Sequence, residues 1–117
     1  MSGKNNAEWA GISEFQLYLF NEGTNFKSYE MLGVHKVDNG WRFAVWAPNA
    51  ERVCLAGDFN GWNNFSHPLE KIGTTGVWYG VFDNINEGAL YKYVIFDKNK
   101  NVVLKSDPFA FYSVKTL

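Results

Sequence analysis

The turn that carries Trp62 combines an indole with several amides, and this combination has the clearest chemical use in the sequence. Asn60, Asn63 and Asn64 lie beside the indole in sequence, and each can donate and accept hydrogen bonds. Asn-Gly readily takes the positive φ angles of a tight turn, so we expect the chain to bend at Asn60 and Gly61 and to hold Trp62 at a sheet end. A ring on a stiff turn loses little rotamer freedom on binding, which suits stacking against a sugar. We therefore predict Trp62 and these asparagines as saccharide contacts.

Lys92 and Trp62 each allow a second, structural interpretation. Lys92 projects from a predicted strand on the face opposite Tyr91 and Tyr93, so one face of that strand is not purely core. A lysine in a strand is commonly just solvated, however, and a tryptophan on a turn can cover the open end of a β-sandwich. The residue pattern leaves both the ligand-binding and the structural interpretations open.

Catalytic and metal-binding patterns are not found in the sequence. Glycoside chemistry needs two carboxyl groups facing one bond across a cleft, but the acidic residues here fall in loops or solvated strand positions. Asp58 is nearest to the turn, and its expected role is to hydrogen-bond its own backbone. His35, His67 and the lone Cys54 lack metal-ligand spacing, and phosphate-binding glycine loops are absent. We predict no catalytic residue, no metal and no cofactor.

Composition narrows the range of partners. The formal net charge is -1 and the basic residues are scattered, so no cationic stripe is available to neutralise nucleic-acid phosphates. No apolar run approaches membrane-spanning length and no hydrophobic signal region opens the chain. We therefore predict neither a nucleic acid nor a membrane as a partner, and a cytoplasmic location. The aromatic share of 18% exceeds what core filling explains, so some rings should be exposed.

The N-terminal part of the chain has helical signals. Residues 1–12 are mostly small or polar and are predicted to be a flexible lead-in. From Ser13, a capping box with Gln16 and apolar residues at three- and four-residue spacing predict a short helix that ends at Gly23. The apolar positions in this pattern are Phe15, Tyr18 and Leu19. A second helical turn completes a predicted helical segment over residues 13–33.

Beyond that segment the apolar residues alternate with period two, which is typical of strands. The predicted strands cover residues 34–37, 41–47, 52–57, 69–72, 77–82, 90–96, 102–105 and 109–114. Short strands at this spacing, with helix only near the N-terminus, predict a mainly β fold, an antiparallel β-sandwich over residues 34–117. Trp41, Trp46 and Trp78 alternate within these strands and are interpreted as core or interdomain packing.

Several segments match motifs of a known family. They are residues 18–25, 29–35, 43–50, 57–62, 87–93 and 104–110. Together they closely resemble the N-terminal part of 1,4-alpha-glucan (glycogen) branching enzymes, a family 48 carbohydrate-binding module with an immunoglobulin-like sandwich. The resemblance covers nearly all of the chain from Ser13 onward. The Trp62 turn and other short pieces are shared with isoamylases and with glycogen-binding modules of kinase beta subunits, whereas residues 18–24 and 29–35 point to branching enzymes in particular.

The resemblance implies a role in glycogen biosynthesis. Enzymes of this family cleave an α-1,4 link in a glucan and rejoin the released chain through an α-1,6 link. Their catalytic residues belong to a later barrel domain that this chain lacks, so the chain itself is expected to be inactive. The implied partners are α-1,4-glucan, as glycogen or maltooligosaccharides, and the protein's own C-terminal catalytic barrel.

The resemblance also implies particular contact residues. Carried over by position from the kinase-type modules, glucan contacts fall on Trp62 and Lys92, with amide side chains nearby. The second stacking aromatic of those modules falls on Leu104 in this sequence. Loss of one of two stacking platforms would weaken binding by about 1–3 kcal/mol. We therefore expect weak glucan binding, and keep a second hypothesis in which Trp41, Trp46 and Leu104 form apolar patches that dock on the barrel.

Overall fold

The computed structural model describes residues 9–23, 28–107 and 115–116. The helix and strands are α1 (Glu14–Glu22), β1 (Gly33–Val37), β2 (Gly40–Trp46), β3 (Arg52–Gly57), β4 (Glu70–Lys71), β5 (Val77–Phe82), β6 (Leu90–Phe96), β7 (Val102–Lys105) and β8 (Lys115–Thr116). Short 3-10 turns lie at Ser28–Glu30 and Asp58–Asn60. The strands predicted from alternation are confirmed up to β7, whereas the strand predicted at residues 109–114 lies outside the described residues.

The strands form two sheets. The first sheet has the order β1-β2-β5-β4, and the second has the order β3-β6-β7 with β8 also pairing with β6. Every pairing is antiparallel except that of β8, which runs parallel to β6. Side chains from both sheets share one core, which contains Val34, Phe43, Val53, Leu55, Leu69, Trp78, Tyr91 and Tyr93 among others. The predicted mainly β, immunoglobulin-like sandwich with a short N-terminal helical segment is confirmed.

Helix α1 covers the outer face of the first sheet. Its ends are as predicted, because Gln16 N donates to Ser13 Oγ (3.1 Å), Ser13 N donates to Gln16 Oε1 (3.0 Å), and Gly23 takes a left-handed conformation with φ 71°. The predicted apolar face was wrong. Leu17 is the buried residue of the helix, whereas Phe15 is 67% and Tyr18 is 59% exposed.

The physical reason is that α1 carries two overlapping apolar stripes, and the local pattern does not choose between them. The stripe with Leu17 and Phe20 lies in a second apolar cluster together with Met31, Ala44 and Val77. The path of the chain before α1 makes the choice. Ile12 is fully buried in the same cluster and Trp9 packs against it, so contact with the first sheet begins before Ser13. The predicted division of the chain into a lead-in (residues 1–12), a helical segment (13–33) and a sandwich (34–117) stays a prediction.

Arg42 joins the N-terminal segment to the first sheet. It is buried on the outer face of β2, and its Nη1 donates to Ala10 O (3.0 Å) while its Nη2 donates to Met31 O (2.9 Å). Burial lowers the pKa of Arg42 to about 10. The alternation of β2 predicts the face on which this residue lies but not the backbone carbonyls that cover it.

A buried aspartate corrects the expectation that the acidic residues are solvated. Asp107 is buried, and its Oδ2 accepts hydrogen bonds from the Tyr91 hydroxyl at 2.5 Å and the Tyr93 hydroxyl at 3.0 Å. Burial, reinforced by the negative charge of Asp107, raises the pKa of both tyrosines. The three side chains hold the end of β7 against the core. The sequence did not indicate this, because the partners come from β6.

Neither a membrane-spanning helix nor a metal-binding cluster is found in the part of the chain that the structure describes. It contains no helix of the length and apolar character needed to cross a bilayer. It also contains no group of three or more histidine, cysteine or acidic side chains arranged to hold a metal ion. The cytoplasmic location stays a prediction.

Candidate saccharide-binding site

The outer face of the second sheet presents apolar side chains that do not belong to the shared core. By strand register, Ala56 lies opposite Lys92, and Val94 lies between Cys54 and Leu104. Cys54, Ala56 and Val94 form a small buried cluster of their own. Leu104 is 44% exposed. Phe96, at the end of β6, packs against this cluster, and the rest of its cover must come from side chains outside the strands.

Trp62 provides that cover. Its half-buried side chain packs against the Cys54, Ala56 and Val94 cluster. The indole therefore lies over the face of the sheet, whereas the sequence led us to expect it at a sheet end. The chain does bend where predicted, but the positive φ angles fall on Gly61 (63°) and Trp62 (60°) and not on Asn60. A left-handed conformation costs a non-glycine residue about 1–2 kcal/mol. The hydrogen bond from Trp62 N to Gly57 O (2.9 Å) and the indole packing offset this cost.

Asp58 fixes the orientation of the indole. Its Oδ1 accepts a hydrogen bond from Trp62 Nε1 (3.1 Å), and its Oδ2 accepts one from Leu90 N (3.2 Å) at the start of β6. We expected the Asp58 carboxylate to hydrogen-bond the backbone of its own turn, but within the described residues it instead holds the Trp62 ring and the start of the neighbouring strand. A ring held in this way presents a defined surface to a ligand.

Asn60 holds the turn together through its amide. Its Oδ1 accepts from Gly57 N (3.0 Å), and its Nδ2 donates to Leu55 O (2.9 Å) and to His67 Nδ1 (3.1 Å). Because Nδ2 can only donate, His67 Nδ1 acts as the acceptor and the imidazole is neutral with its proton on Nε2. Burial lowers the pKa of His67, which favours this neutral form. The geometry commits the Asn60 amide to its own turn.

The other two asparagines are less committed. Asn63 Oδ1 accepts a hydrogen bond from Phe65 N (2.7 Å), while its Nδ2 donates to none of the residues that the structure describes. Asn64 is half-buried, and its side chain makes no hydrogen bond within the same residues. Asn63 and Asn64 therefore keep amide groups that a ligand could use.

Lys92 lies on the same face as Trp62. It is half-buried and sits opposite Ala56, one of the residues on which the indole packs. Leu104 lies opposite Val94, another of these residues. The structure thus brings Trp62, Lys92 and Leu104 together around one small cluster, although they are far apart in sequence. Their role in binding stays a prediction.

Three further residues extend this face, and sequence reasoning did not single them out. Phe65 is 57% exposed, and its ring lies 5.5 Å from that of Phe96 on β6. The Arg52 guanidinium lies 5.5 Å from the Phe65 ring centre and 5.7 Å from that of Phe96. Phe65 belongs to a loop without periodicity, so no sequence signal indicates which face it joins.

Comparison with known proteins shows the family to which this chain belongs. The family model described as "Carbohydrate-binding module 48 (Isoamylase N-terminal domain)" matches residues 31–110. The chain belongs to this family. It is 48% identical over 103 residues to the 1,4-alpha-glucan branching enzyme GlgB of Oceanobacillus iheyensis, covering 85% of this module and 16% of that enzyme. For the enzyme of the same name from Geobacillus stearothermophilus, the identity is 47% over 107 residues, covering 88% of this module and 17% of the enzyme. The module therefore spans about a sixth of the curated relatives that it matches.

Solved structures support the same fold. The module superposes on PulA from Klebsiella oxytoca with a TM-score of 0.58 and 23% identity, covering 74% of the module and 9% of PulA. It superposes on the catalytic module of the pneumococcal virulence factor SpuA with a TM-score of 0.54 and 25% identity, covering 81% and 14% of the two chains. The resemblance to branching enzymes and to their family 48 module is confirmed by the family match and by the identities.

Proposed function

We propose that this module binds α-1,4-glucan chains, such as glycogen and maltooligosaccharides, and holds them for the catalytic barrel of a branching enzyme in glycogen biosynthesis. The observation that carries the proposal is the Trp62 indole, which lies over the outer face of the second sheet with Asp58 holding its Nε1. Lys92 stands beside it on that face. By itself the module is expected to have no branching activity.

The proposed contacts follow from the chemistry of these side chains. The indole supplies an apolar surface for stacking on a glucose ring, with little rotamer freedom left to lose. The Lys92 ammonium and the free amide groups of Asn63 and Asn64 supply hydrogen bonds to sugar hydroxyls. Asn60 contributes indirectly by keeping the turn in shape. Leu104 offers only an aliphatic surface where related modules have a second stacking ring. Binding that depends on Trp62 alone is therefore expected to be weak.

Titration with maltoheptaose, followed by tryptophan fluorescence, tests the proposal. The expected result is a saturable change at millimolar ligand that Trp62→Ala abolishes. Trp46→Ala is the matched control, because this indole is 52% exposed at the end of β2, a strand of the first sheet, and should leave the response intact. No response in the unmodified module, or an undiminished response in Trp62→Ala, would refute glucan binding at this site.

A second candidate function is docking on the barrel, and the surroundings of Trp46 favour it. The indole borders a cavity of about 220 Å³ on one side, lined also by Phe20 and Leu32, and a groove of about 670 Å³ on the other, lined also by Pro48 and Val103. An exposed tryptophan between two concave surfaces is typical of an interface anchor.

The other two residues of the docking hypothesis lie elsewhere. Trp41 packs against the shared core and its Nε1 donates to Ile85 O (3.2 Å), while Leu104 belongs to the proposed saccharide face. In a full-length enzyme carrying this module, Trp46→Ala should lower the thermal stability of the barrel, and Trp62→Ala should not. Equal melting temperatures for Trp46→Ala and the unmodified enzyme would count against docking through this indole.

A further inference from the structure

Phe65 is an exposed aromatic ring on the same sheet face as Trp62, and the proposed function leaves it unused. We infer that Phe65 is a second stacking platform for the glucan chain, in place of the aromatic ring that position 104 lacks. The inference rests on the proposed glucan binding and adds a contact residue to it. It assigns to the Phe65 loop a role in recognition of a neutral oligosaccharide.

The position of Phe65 follows from strand register. Phe96 lies opposite Arg52 on β3 and opposite Val102 on β7, so it shares the outer face with Lys92 and Val94. The Phe65 ring lies 5.5 Å from the Phe96 ring at an interplanar angle of 31°. Phe65 therefore lies above the outer face of the second sheet.

The register of β6 relates the residues on which the Trp62 and Phe65 rings pack. Trp62 packs on the cluster that contains Val94, and Phe65 packs on Phe96, two residues further along β6. Residues two apart on a strand are about 7 Å apart along its axis. Two rings placed at such an interval along one strand can each take a different sugar unit of the same chain.

The Phe65 ring is also held in place before any ligand binds. Its backbone N donates to Asn63 Oδ1 (2.7 Å), which fixes the loop, and Phe96 supports the ring from below. The exposed Arg52 guanidinium lies 5.5 Å from the Phe65 ring centre and carries hydrogen-bond donors for sugar hydroxyls. A supported ring that remains 57% exposed has the features of a platform.

Calorimetric titration of the whole chain with maltoheptaose tests the inference. Phe65→Ala should weaken binding by roughly two- to tenfold, the effect of losing one aromatic contact. Phe65→Tyr, which keeps the ring, should bind like the unmodified chain. Phe15→Ala is the matched control. This phenylalanine is 67% exposed and belongs to α1, which covers the other sheet, so its removal should leave the affinity unchanged.

A second pair of measurements keeps the test decisive. Phe65→Leu retains an apolar cover over Phe96 without a ring, so it should stay folded and show the same loss of affinity, roughly two- to tenfold. It therefore tests the platform even if Phe65→Ala unfolds. In the unmodified chain, the ring protons of Phe65 should shift during an NMR titration. Unchanged affinity in Phe65→Leu, with binding abolished in Trp62→Ala, would overturn the platform and leave glucan binding intact. No binding by the unmodified chain would overturn both.

Discussion

Around the turn after β3, single side chains act mainly by holding one another in place. Asp58 accepts a hydrogen bond from the indole of Trp62. The side-chain amide of Asn60 hydrogen-bonds to Gly57, Leu55 and His67. The proposed stacking surface thus depends on residues that need not touch a saccharide themselves. Substitutions at this scale should separate residues that bind from residues that position.

Asn60→Ala should destabilise the module because it leaves the Gly57 N–H and the Leu55 carbonyl without their amide partner. Unsatisfied buried groups cost about 1–3 kcal/mol each, so the free energy of unfolding should fall by about 2 kcal/mol or more in urea denaturation. Asn64→Ala is the control and should change stability by less than about 0.5 kcal/mol. Equal effects of the two substitutions would contradict the structural role of Asn60.

The stability of the module should fall in mild acid because of His67. Burial lowers the folded-state pKa of this imidazole below its unfolded value of about 6.5, so the unfolded chain binds the proton more tightly. The stabilising contribution is therefore complete above pH about 6.5 and is lost as the pH falls from there through the folded pKa. Protonation would also place an N–H against the Asn60 donor.

Urea unfolding midpoints measured between pH 5 and pH 8 check this dependence. Replacing the imidazole in His67→Gln removes the titrating group, so its midpoints should vary less over the same interval. A midpoint that falls as steeply in His67→Gln as in the unmodified module would assign the acid sensitivity to other groups.

At the scale of elements, the site depends on how closely β3 approaches β6. Gly57 ends β3 opposite Tyr91, and a Cβ built on it would lie 2.4 Å from Leu90 O and 2.5 Å from the Phe59 ring. The 3-10 turn can therefore follow the strand at once and return Trp62 to the sheet face. Only a residue without a side chain permits this approach.

Gly57→Ala should separate β3 from β6 and lower the free energy of unfolding by about 3 kcal/mol, because the clash is with backbone. Gly61→Ala is the comparison. Gly61 has φ 63° and open space around it, so it should lose only the left-handed backbone preference, about 1–2 kcal/mol. Chemical denaturation of both variants checks the order, and a larger loss in Gly61→Ala would contradict the close approach as the dominant constraint.

At the scale of the whole molecule, the two outer faces of the sandwich differ in how much of each is covered by other parts of the chain. The N-terminal segment covers the first sheet through Leu17, Met31 and Ile12, whereas Trp62 covers only a small cluster on the second. The buried guanidinium of Arg42 connects the covering segment to the sheet by hydrogen bonds to backbone carbonyls. This division leaves the second face for a ligand.

Arg42→Ala should detach that cover. It leaves the carbonyls of Ala10 and Met31 without donors, so we expect a loss of about 3 kcal/mol in the free energy of unfolding. Amide hydrogen exchange in α1 should also become faster. Arg52→Ala, which removes an exposed arginine from β3, should cost about 0.5 kcal/mol or less. Unchanged exchange in α1 would show that the segment stays in place without the guanidinium.

Local signals in the sequence determined much of this protein. The alternation of β2, β5 and β6, the Ser13 capping box and the turn glycines each depend on neighbours in the chain, and all are found as predicted. The family motifs led to the same sandwich, and the family match confirms it. Interactions of short range in sequence are the ones that residue patterns encode directly.

The tertiary structure alone decided which side chains meet. It placed Trp62 over the sheet face, committed the Asn60 amide to the turn, buried Asp107 beneath two tyrosines, and set Phe65 on Phe96. Each outcome depends on a partner from a distant part of the chain or on the path of a loop without periodicity. Burial and hydrogen bonding are satisfied by the whole fold, so no single stretch of sequence carries the information that selects them.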